Sequence, residues 1–255
     1  MSETSETSEP DELVATPGAK MIYLIKRRPE TSRDELIAHW FKNHMPLVIA
    51  GNERQAERGK LHARRYIATL FEPTAEPLSW DGMAQLWWDV ALPMPDVPHG
   101  TDPTDTFQQK AEPYVPWATT EYVVLDGELP VVPNTLNEPF PATRSGVLKV
   151  TYLVSASAGI DHDDLFSHWR EVHAPRVRAL MRDAGGLRYV LSQSQRPAEE
   201  PYVGLAELYF PDDQAFTSFR AALAEDTSTV YRDDAGSRLE MTELRSYTQM
   251  VGIPG

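Results

Sequence analysis

Two stretches of the chain, DELIAHWFKNHMPLVIA at residues 34–50 and DDLFSHWREVHAPRVRA at residues 163–179, carry one pattern at a constant offset of 129 residues. The identical positions of the first stretch are Asp34, Leu36, His39, Trp40, His44, Pro46, Val48 and Ala50. Unrelated residues agree roughly one time in fifteen. This density of identities therefore indicates an internal duplication.

The correspondence continues downstream in the same order. Residues 65–67 (Arg-Tyr-Ile) match residues 188–190 (Arg-Tyr-Val), and Gly82, Ala84 and Leu86 match Gly204, Ala206 and Leu208. We therefore predict an acidic, disordered tail (residues 1–18), a first unit (19–128), a linker (129–145) and a second unit (146–255). The linker contains Pro130, Pro133, Pro139 and Pro141, which preclude a helix or a central strand there.

Each unit is predicted to run strand, helix, strand, strand, helix, strand, the split βαβ arrangement of ferredoxin-like proteins. The first helix begins at a capping box, Ser32 with Glu35, and its counterpart begins at Asp161. The second helix is weakly indicated in the first unit, near residues 106–112, and clearly at residues 213–224. The fold class is α+β, and each sheet needs a cover on the face without helices, which the sister unit supplies.

Composition limits the classes of partner. The formal net charge of −14 argues against nucleic acid and anionic membranes, which attract clustered Lys and Arg. The absence of cysteine excludes disulfides and thiolate chemistry. Without a long apolar run or a signal-like start, we expect a cytoplasmic protein whose partner is a small molecule.

The pattern Leu-x-x-His-Trp-x-x-x-His-x-Pro, at residues 36–46 and again at 165–175, resembles the EthD family of the dimeric α+β barrel superfamily. The resemblance implies that the two antiparallel sheets pack face to face as an intramolecular barrel with a cleft. The resemblance leaves open whether two copies of this fused pair form a homodimer. Relatives in the superfamily include cofactor-free monooxygenases, cyclases, dehydratases, isomerases and haem-binding proteins. The resemblance therefore specifies the fold but not the reaction. It also leaves open whether the chain binds haem.

His44 and His173 are the predicted catalytic residues. Each follows the repeated tryptophan by four positions, so the two side chains share one helical face. An imidazole there can act as a general acid or base, or it can bond a backbone carbonyl and only shape the barrel mouth. His39 and His168 precede these histidines by five positions, roughly 140° around an α-helix. That spacing does not suit a shared metal ion, and we predict no metal and no cofactor.

Aromatic side chains are predicted to bind the substrate: Tyr23, Trp40, Tyr66, Trp87, Tyr152, Trp169 and Tyr189. Strand alternation sends each tyrosine either into the barrel or under the helices, and the pattern leaves both directions open. The proline-rich segment 91–103 contains His99 and is interpreted as a surface loop, with a lid carrying a mobile acid or base as the alternative.

These features together predict a cofactor-independent acid/base enzyme of the dehydratase, cyclase, isomerase or decarboxylase type. Its substrate is a small apolar molecule, aromatic or polyketide-like, bound in the barrel cleft. The first alternative is an oxidoreductase, a cofactor-free monooxygenase of an electron-rich aromatic. The second is a non-catalytic accessory protein that binds such a ligand.

Overall fold

The computed structural model describes residues 12–73, 80–129, 145–226 and 239–255. Residues 1–11 of the predicted tail and residues 130–144 of the predicted linker lie outside this part of the chain. The strands are β1 (Ala19–Ile25), β2 (Arg65–Leu70), β3 (Gly82–Trp88), β4 (Trp117–Leu125), β5 (Leu148–Ala156), β6 (Arg188–Ser194), β7 (Gly204–Phe210), β8 (Leu239–Ser246) and β9 (Thr248–Ile253). The helices are α1 (Arg33–His39), α2 (Met45–Glu57), α3 (His162–His168), α4 (Ala174–Asp183) and α5 (Asp213–Glu225).

The nine strands form one antiparallel sheet in the order β8-β5-β7-β6-β4-β1-β3-β2-β9. Strand β4 pairs with β1 of its own unit and with β6 of the other. At the end of the second unit, β8 pairs with β5 of the same unit, and β9 pairs with β2 of the first unit. Only Tyr247 separates β8 from β9, so the two ends of the order meet and the sheet closes. The predicted α+β fold, two ferredoxin-like units packed as an intramolecular barrel, is confirmed.

Alternation along the strands separates two kinds of surface. Ile22 of β1 packs inside the barrel with Leu153 and Leu205 of the second unit. Tyr23 and Ile25 face the other way and pack with Trp40 beneath the helices. The tyrosines of β1 and β2 are therefore on the helix-covered face rather than in the barrel.

In each unit a π-helical segment interrupts the predicted first helix. Trp40–His44 joins α1 to α2, and Trp169–His173 joins α3 to α4. The repeated prolines, Pro46 and Pro175, lie in the first turn of the helix that follows each segment. A proline ring clashes with the carbonyl four residues earlier in an α-helix, and the wider π turn relieves that clash.

Two repeated glycines allow the repeated tryptophans to pack on the sheet. A Cβ atom on Gly82 would lie 2.6 Å from the Thr69 carbonyl oxygen and 2.7 Å from the Trp40 ring. A Cβ on Gly204 would lie 2.7 Å from both the Ser192 carbonyl oxygen and the Trp169 ring. Because one neighbour in each case is backbone, neither site can accept a methyl group without displacing a strand.

We expect Gly82→Ala and Gly204→Ala each to lower the free energy of unfolding by about 1–3 kcal/mol, as overpacked sites do. Urea unfolding followed by circular dichroism measures the change. Gly51→Ala is the matched control, since a Cβ at Gly51 in α2 meets nothing closer than 3.9 Å, and alanine favours helix by about 1 kcal/mol. Equal stability of Gly82→Ala and Gly51→Ala would contradict this packing.

Two predicted segments differ in the structure. Residues 106–110 form turns rather than a helix, and Ala111 forms an isolated β-bridge with Arg27. The folded part also starts before the predicted boundary at residue 18. Ala15 pairs with Tyr122, and the Thr16 amide donates to the Glu121 carbonyl at 2.8 Å.

Candidate active site

A cavity of about 400 Å³ lies in the first unit, between the outer face of its sheet and α2. Four predicted residues contribute to its wall: Tyr23, Trp40, His44 and Tyr66. The sequence analysis predicts that the substrate binds in the barrel cleft, whereas this cavity lies outside the barrel. The barrel interior is filled with apolar side chains and with a buried network of Lys20, Lys149 and Glu207.

His44 is held by a carboxylate. Its Nδ1 lies 2.6 Å from Oδ2 of Asp105, and both side chains are mostly buried, 17% and 12% exposed. The backbone N–H of Gln108 donates to the other Asp105 oxygen, Oδ1, at 2.9 Å, which orients the carboxylate. The Phe107 ring packs on the imidazole at a centroid distance of 4.6 Å. Since Nδ1 is bonded to Asp105, the Nε2 atom of His44 is the one available to a ligand.

Asp105 was not predicted as a site residue. It lies 61 positions from His44 in the proline-rich segment of the first unit, and no motif or repeat connects the two. The only local signal is its position just before residues 106–112, where the sequence weakly indicates a helix.

His39 and His44 contact neighbouring residues of one loop. Nδ1 of His39 lies 2.9 Å from the Thr106 hydroxyl, next to the Asp105 that binds His44. The predicted 140° separation is wrong, because the segment between the two histidines is π-helical. His39 is not among the residues lining the cavity.

Trp40 and Tyr66 form the floor of the cavity. Each is 1% exposed, and the Trp40 indole Nε1–H donates to the Tyr66 hydroxyl oxygen at 3.2 Å. Burial raises the pKa of Tyr66, although the bond from Trp40 opposes this. The phenol therefore stays protonated in the cavity.

His99 lies at the mouth of the cavity and remains solvent-exposed. Its backbone pairs with Tyr114, with N···O distances of 2.8 and 3.0 Å. Its ring centroid is 6.0 Å from that of Tyr23 and 5.7 Å from that of Tyr114. The segment is thus exposed, as a surface loop would be, and it also brings an imidazole to the cavity wall, as the alternative interpretation requires.

The titratable groups around His99 are Tyr23, Tyr114 and His44. Burial lowers the pKa of His99, and the nearby His44 lowers it further. Burial raises the pKa of Tyr114 to about 12, and it also raises the pKa of Tyr23, where Tyr114 adds to the effect. The mouth of the cavity therefore carries protonated phenols and a neutral imidazole.

The remaining predicted residues lie elsewhere. Trp87 points into the barrel, where its Nε1–H donates to Glu121 at 3.0 Å. Tyr152 donates to Glu243 at 2.9 Å on the outer face of the second unit, and Trp169 and Tyr189 belong to the core of that unit.

In the second unit, α5 packs against the sheet through phenylalanine side chains. Phe216 and Phe219 of α5 each lie 5.4 Å from Phe210 between ring centroids, and all three are 1% exposed or less. They pack in the same core cluster as Trp169. His173 ends the π-helical segment Trp169–His173 of the second unit and is not among the residues that line the cavity with His44.

Among the described residues, no three His, Asp or Glu side chains converge in a way that could hold a metal ion. Within the same residues, no helix is long and apolar enough to cross a bilayer.

Comparison with known proteins gives one family match and several structural likenesses. The EthD domain model matches residues 157–235. The comparison with curated proteins finds no match. A haem-binding protein from Thermus thermophilus is 12% identical, with 94% of each chain covered and a TM-score of 0.41. An anthrone oxidase-like protein is 10% identical, with 96% of this chain and 94% of that chain covered and a TM-score of 0.49. A mutant chlorite dismutase from Candidatus Nitrospira defluvii is 8% identical, with 91% and 92% covered and a TM-score of 0.43.

The family match contains the second copy of the repeated motif, whereas the cavity lies in the first unit. The resemblance first seen in the motif is thus confirmed, since residues 157–235 match the EthD domain model.

Proposed function

We propose that the chain is an acid/base enzyme that acts on a small, largely apolar molecule in the first-unit cavity. The observation that carries the proposal is His44 on the wall of that cavity, with its Nδ1 atom 2.6 Å from Oδ2 of Asp105. Apolar and aromatic groups surround the pair, including Phe107 and Leu86. Such a cavity favours a flat apolar ligand.

In this mechanism Nε2 of His44 removes a proton from the substrate. The imidazolium that forms keeps its Nδ1–H on the Asp105 carboxylate, which stabilises the new positive charge and fixes the ring. His44 then returns the proton either to carbon, which gives an isomer, or to a hydroxyl that departs as water. A positioned base of this kind contributes about 10²–10⁴-fold to the rate.

Cofactor-free monooxygenation is the second candidate, and it is supported by the aromatic wall of the cavity: Trp40, Tyr66, Trp88 and Tyr114. Removal of a proton by His44 would leave an electron-rich anion, and dioxygen would be the oxidant. The product would gain one oxygen atom, and the other would leave as water with the two hydrogens removed from the substrate.

The test is mass spectrometry of aromatic and polyketide extracts incubated with wild-type protein or His44→Ala, in air and under argon. Loss of water or carbon dioxide, or an equal-mass rearrangement, in both atmospheres with wild type alone would support acid/base catalysis. A gain of oxygen in air alone would favour the monooxygenase. Binding of a metabolite with neither a change of mass nor a rearrangement to an isomer would contradict both and favour an accessory role.

A further inference from the structure

Two polar side chains at the mouth of the cavity have no hydrogen-bond partner within the described part of the chain. They are the Tyr23 hydroxyl and the His99 imidazole, whose ring centroids are 6.0 Å apart. Among the other polar side chains that line the cavity, His44 bonds to Asp105 and Tyr66 accepts from Trp40, whereas Gln55 Oε1 and the Trp88 indole N–H have no partner among the described residues. Since polar groups that leave water normally keep a partner, a ligand that displaces water here has to supply one.

The second unit provides an internal comparison. Tyr152 occupies the position equivalent to Tyr23 in the repeat, and its hydroxyl donates to Glu243 at 2.9 Å. The hydroxyl therefore has a protein acceptor in the second unit, and it lacks a described one in the first unit, where the cavity lies. This difference indicates that the acceptor for Tyr23 comes from the ligand.

We propose that Tyr23 and His99 together donate hydrogen bonds to one oxygen atom of the ligand, which assigns the ligand to the ketones and phenols. The inference rests on the proposed function for the role of His44. When His44 removes a proton from such a ligand, negative charge develops on the oxygen, as an enolate or a phenolate. Two fixed donors aimed at that atom then stabilise the charge.

The protonation states suit this role. Burial raises the pKa of Tyr23, so its hydroxyl retains the proton that it donates. Burial and His44 lower the pKa of His99, so its imidazole is neutral and offers one N–H. A neutral donor stabilises an oxyanion without adding a second cation beside the imidazolium of His44.

The probe for this site is 4-nitrophenol, whose phenolate absorbs visible light, so its apparent pKa when bound can be read by titration. We expect the bound phenol to ionise at a pH about one unit below that of the free phenol, or tenfold in the ionisation constant. Tyr23→Phe and His99→Leu should each reverse most of that shift. His99→Gln retains an N–H donor and should stay near wild type, as should the matched control Tyr152→Phe.

Repeating the titrations in a His44→Gln background separates this inference from the proposed function. A shift that persists without His44 and disappears in Tyr23→Phe supports the donor pair. A shift that depends on His44 and ignores both Tyr23→Phe and His99→Leu overturns the donor pair and leaves His44 as the base. Failure of 4-nitrophenol to bind also overturns it, while activity in the metabolite screen would still uphold the proposed function. Thermal unfolding of each variant confirms that it folds.

Discussion

His44→Ala is expected to lower the turnover of a cavity substrate by about 10²–10⁴-fold, the contribution of a positioned general base, whereas His173→Ala changes it less than about twofold. The two histidines occupy equivalent positions in the repeat. His44 lines the open cavity, and its Nδ1 bonds to the Asp105 carboxylate. In the second unit, Phe216 and Phe219 are buried in one core cluster with Trp169.

The measurement is kcat and KM for the substrate found in the metabolite screen, with the dissociation constant of 4-nitrophenol measured separately. In His44→Ala the loss should fall on kcat, because the cavity wall that binds the ligand stays in place. Asp105→Asn should lower kcat without removing the base itself, by about 10–100-fold, the usual effect of losing an orienting partner. Equal losses in His44→Ala and His173→Ala would refute the assignment of catalysis to the first unit.

The fold followed from the sequence because its determinants are repeated and local. Trp40 and Trp169 recur with Gly82 and Gly204, and each pair meets on the sheet. The capping box at Ser32 begins α1 as predicted, and the Ser32 backbone N–H donates to the Glu35 carboxylate at 2.9 Å. Signals of this kind act within a few residues or appear twice, so one chain is enough to detect them.

The site was only partly predictable, because its decisive contacts are long-range or depend on helix type. Asp105 approaches His44 from a segment without regular periodicity. Residues five apart lie on opposite sides of an α-helix, yet the π-helical turn over Trp40–His44 brings His39 and His44 to adjacent residues of one loop. The repeat also predicts the same roles for His173 and Tyr152 as for His44 and Tyr23, whereas only the latter two line the cavity.

A charged network at the centre of the barrel also depends on a difference between the copies. Glu207 bonds to Lys149 at 2.7 Å and to Lys20, and it accepts from Gln85 at 2.9 Å. All four side chains are buried, with 2% exposure or less. Lys20 and Lys149 are equivalent in the repeat, as are Gln85 and Glu207. Having glutamate in one copy and glutamine in the other places a single carboxylate between two lysines.

Glu207→Ala is therefore expected to lower the free energy of unfolding by about 3–5 kcal/mol, because it leaves Lys149 buried without a carboxylate. Urea unfolding at neutral pH measures this loss. The matched control is Gln85→Ala at the equivalent position, which removes hydrogen bonds but no charge and should lower the free energy by about 1–2 kcal/mol. Lys20 keeps a second carboxylate, Glu121 at 3.0 Å, so the main deficit falls on Lys149.

The pH dependence distinguishes an unpaired lysine from a simple cavity. Burial alone would raise the pKa of Glu207, but Lys149 and Lys20 hold it well below its usual range. That carboxylate thus stabilises wild type above its unfolded pKa, about 4.3, and the stabilisation is lost as the pH falls toward the folded value. Glu207→Ala should show less of this acid loss than wild type.

The basic side of the profile completes the test. Burial lowers the pKa of Lys149, and without Glu207 the strongest opposing attraction is gone. The native variant then releases this proton at a lower pH than the unfolded chain, where lysine titrates near 10.4, so its stability rises with pH over that interval. The deficit of Glu207→Ala relative to wild type should therefore shrink between neutral pH and about pH 10. A deficit that is the same at every pH would show that Lys149 keeps its charge with another partner, and it would reduce Glu207 to a packing role.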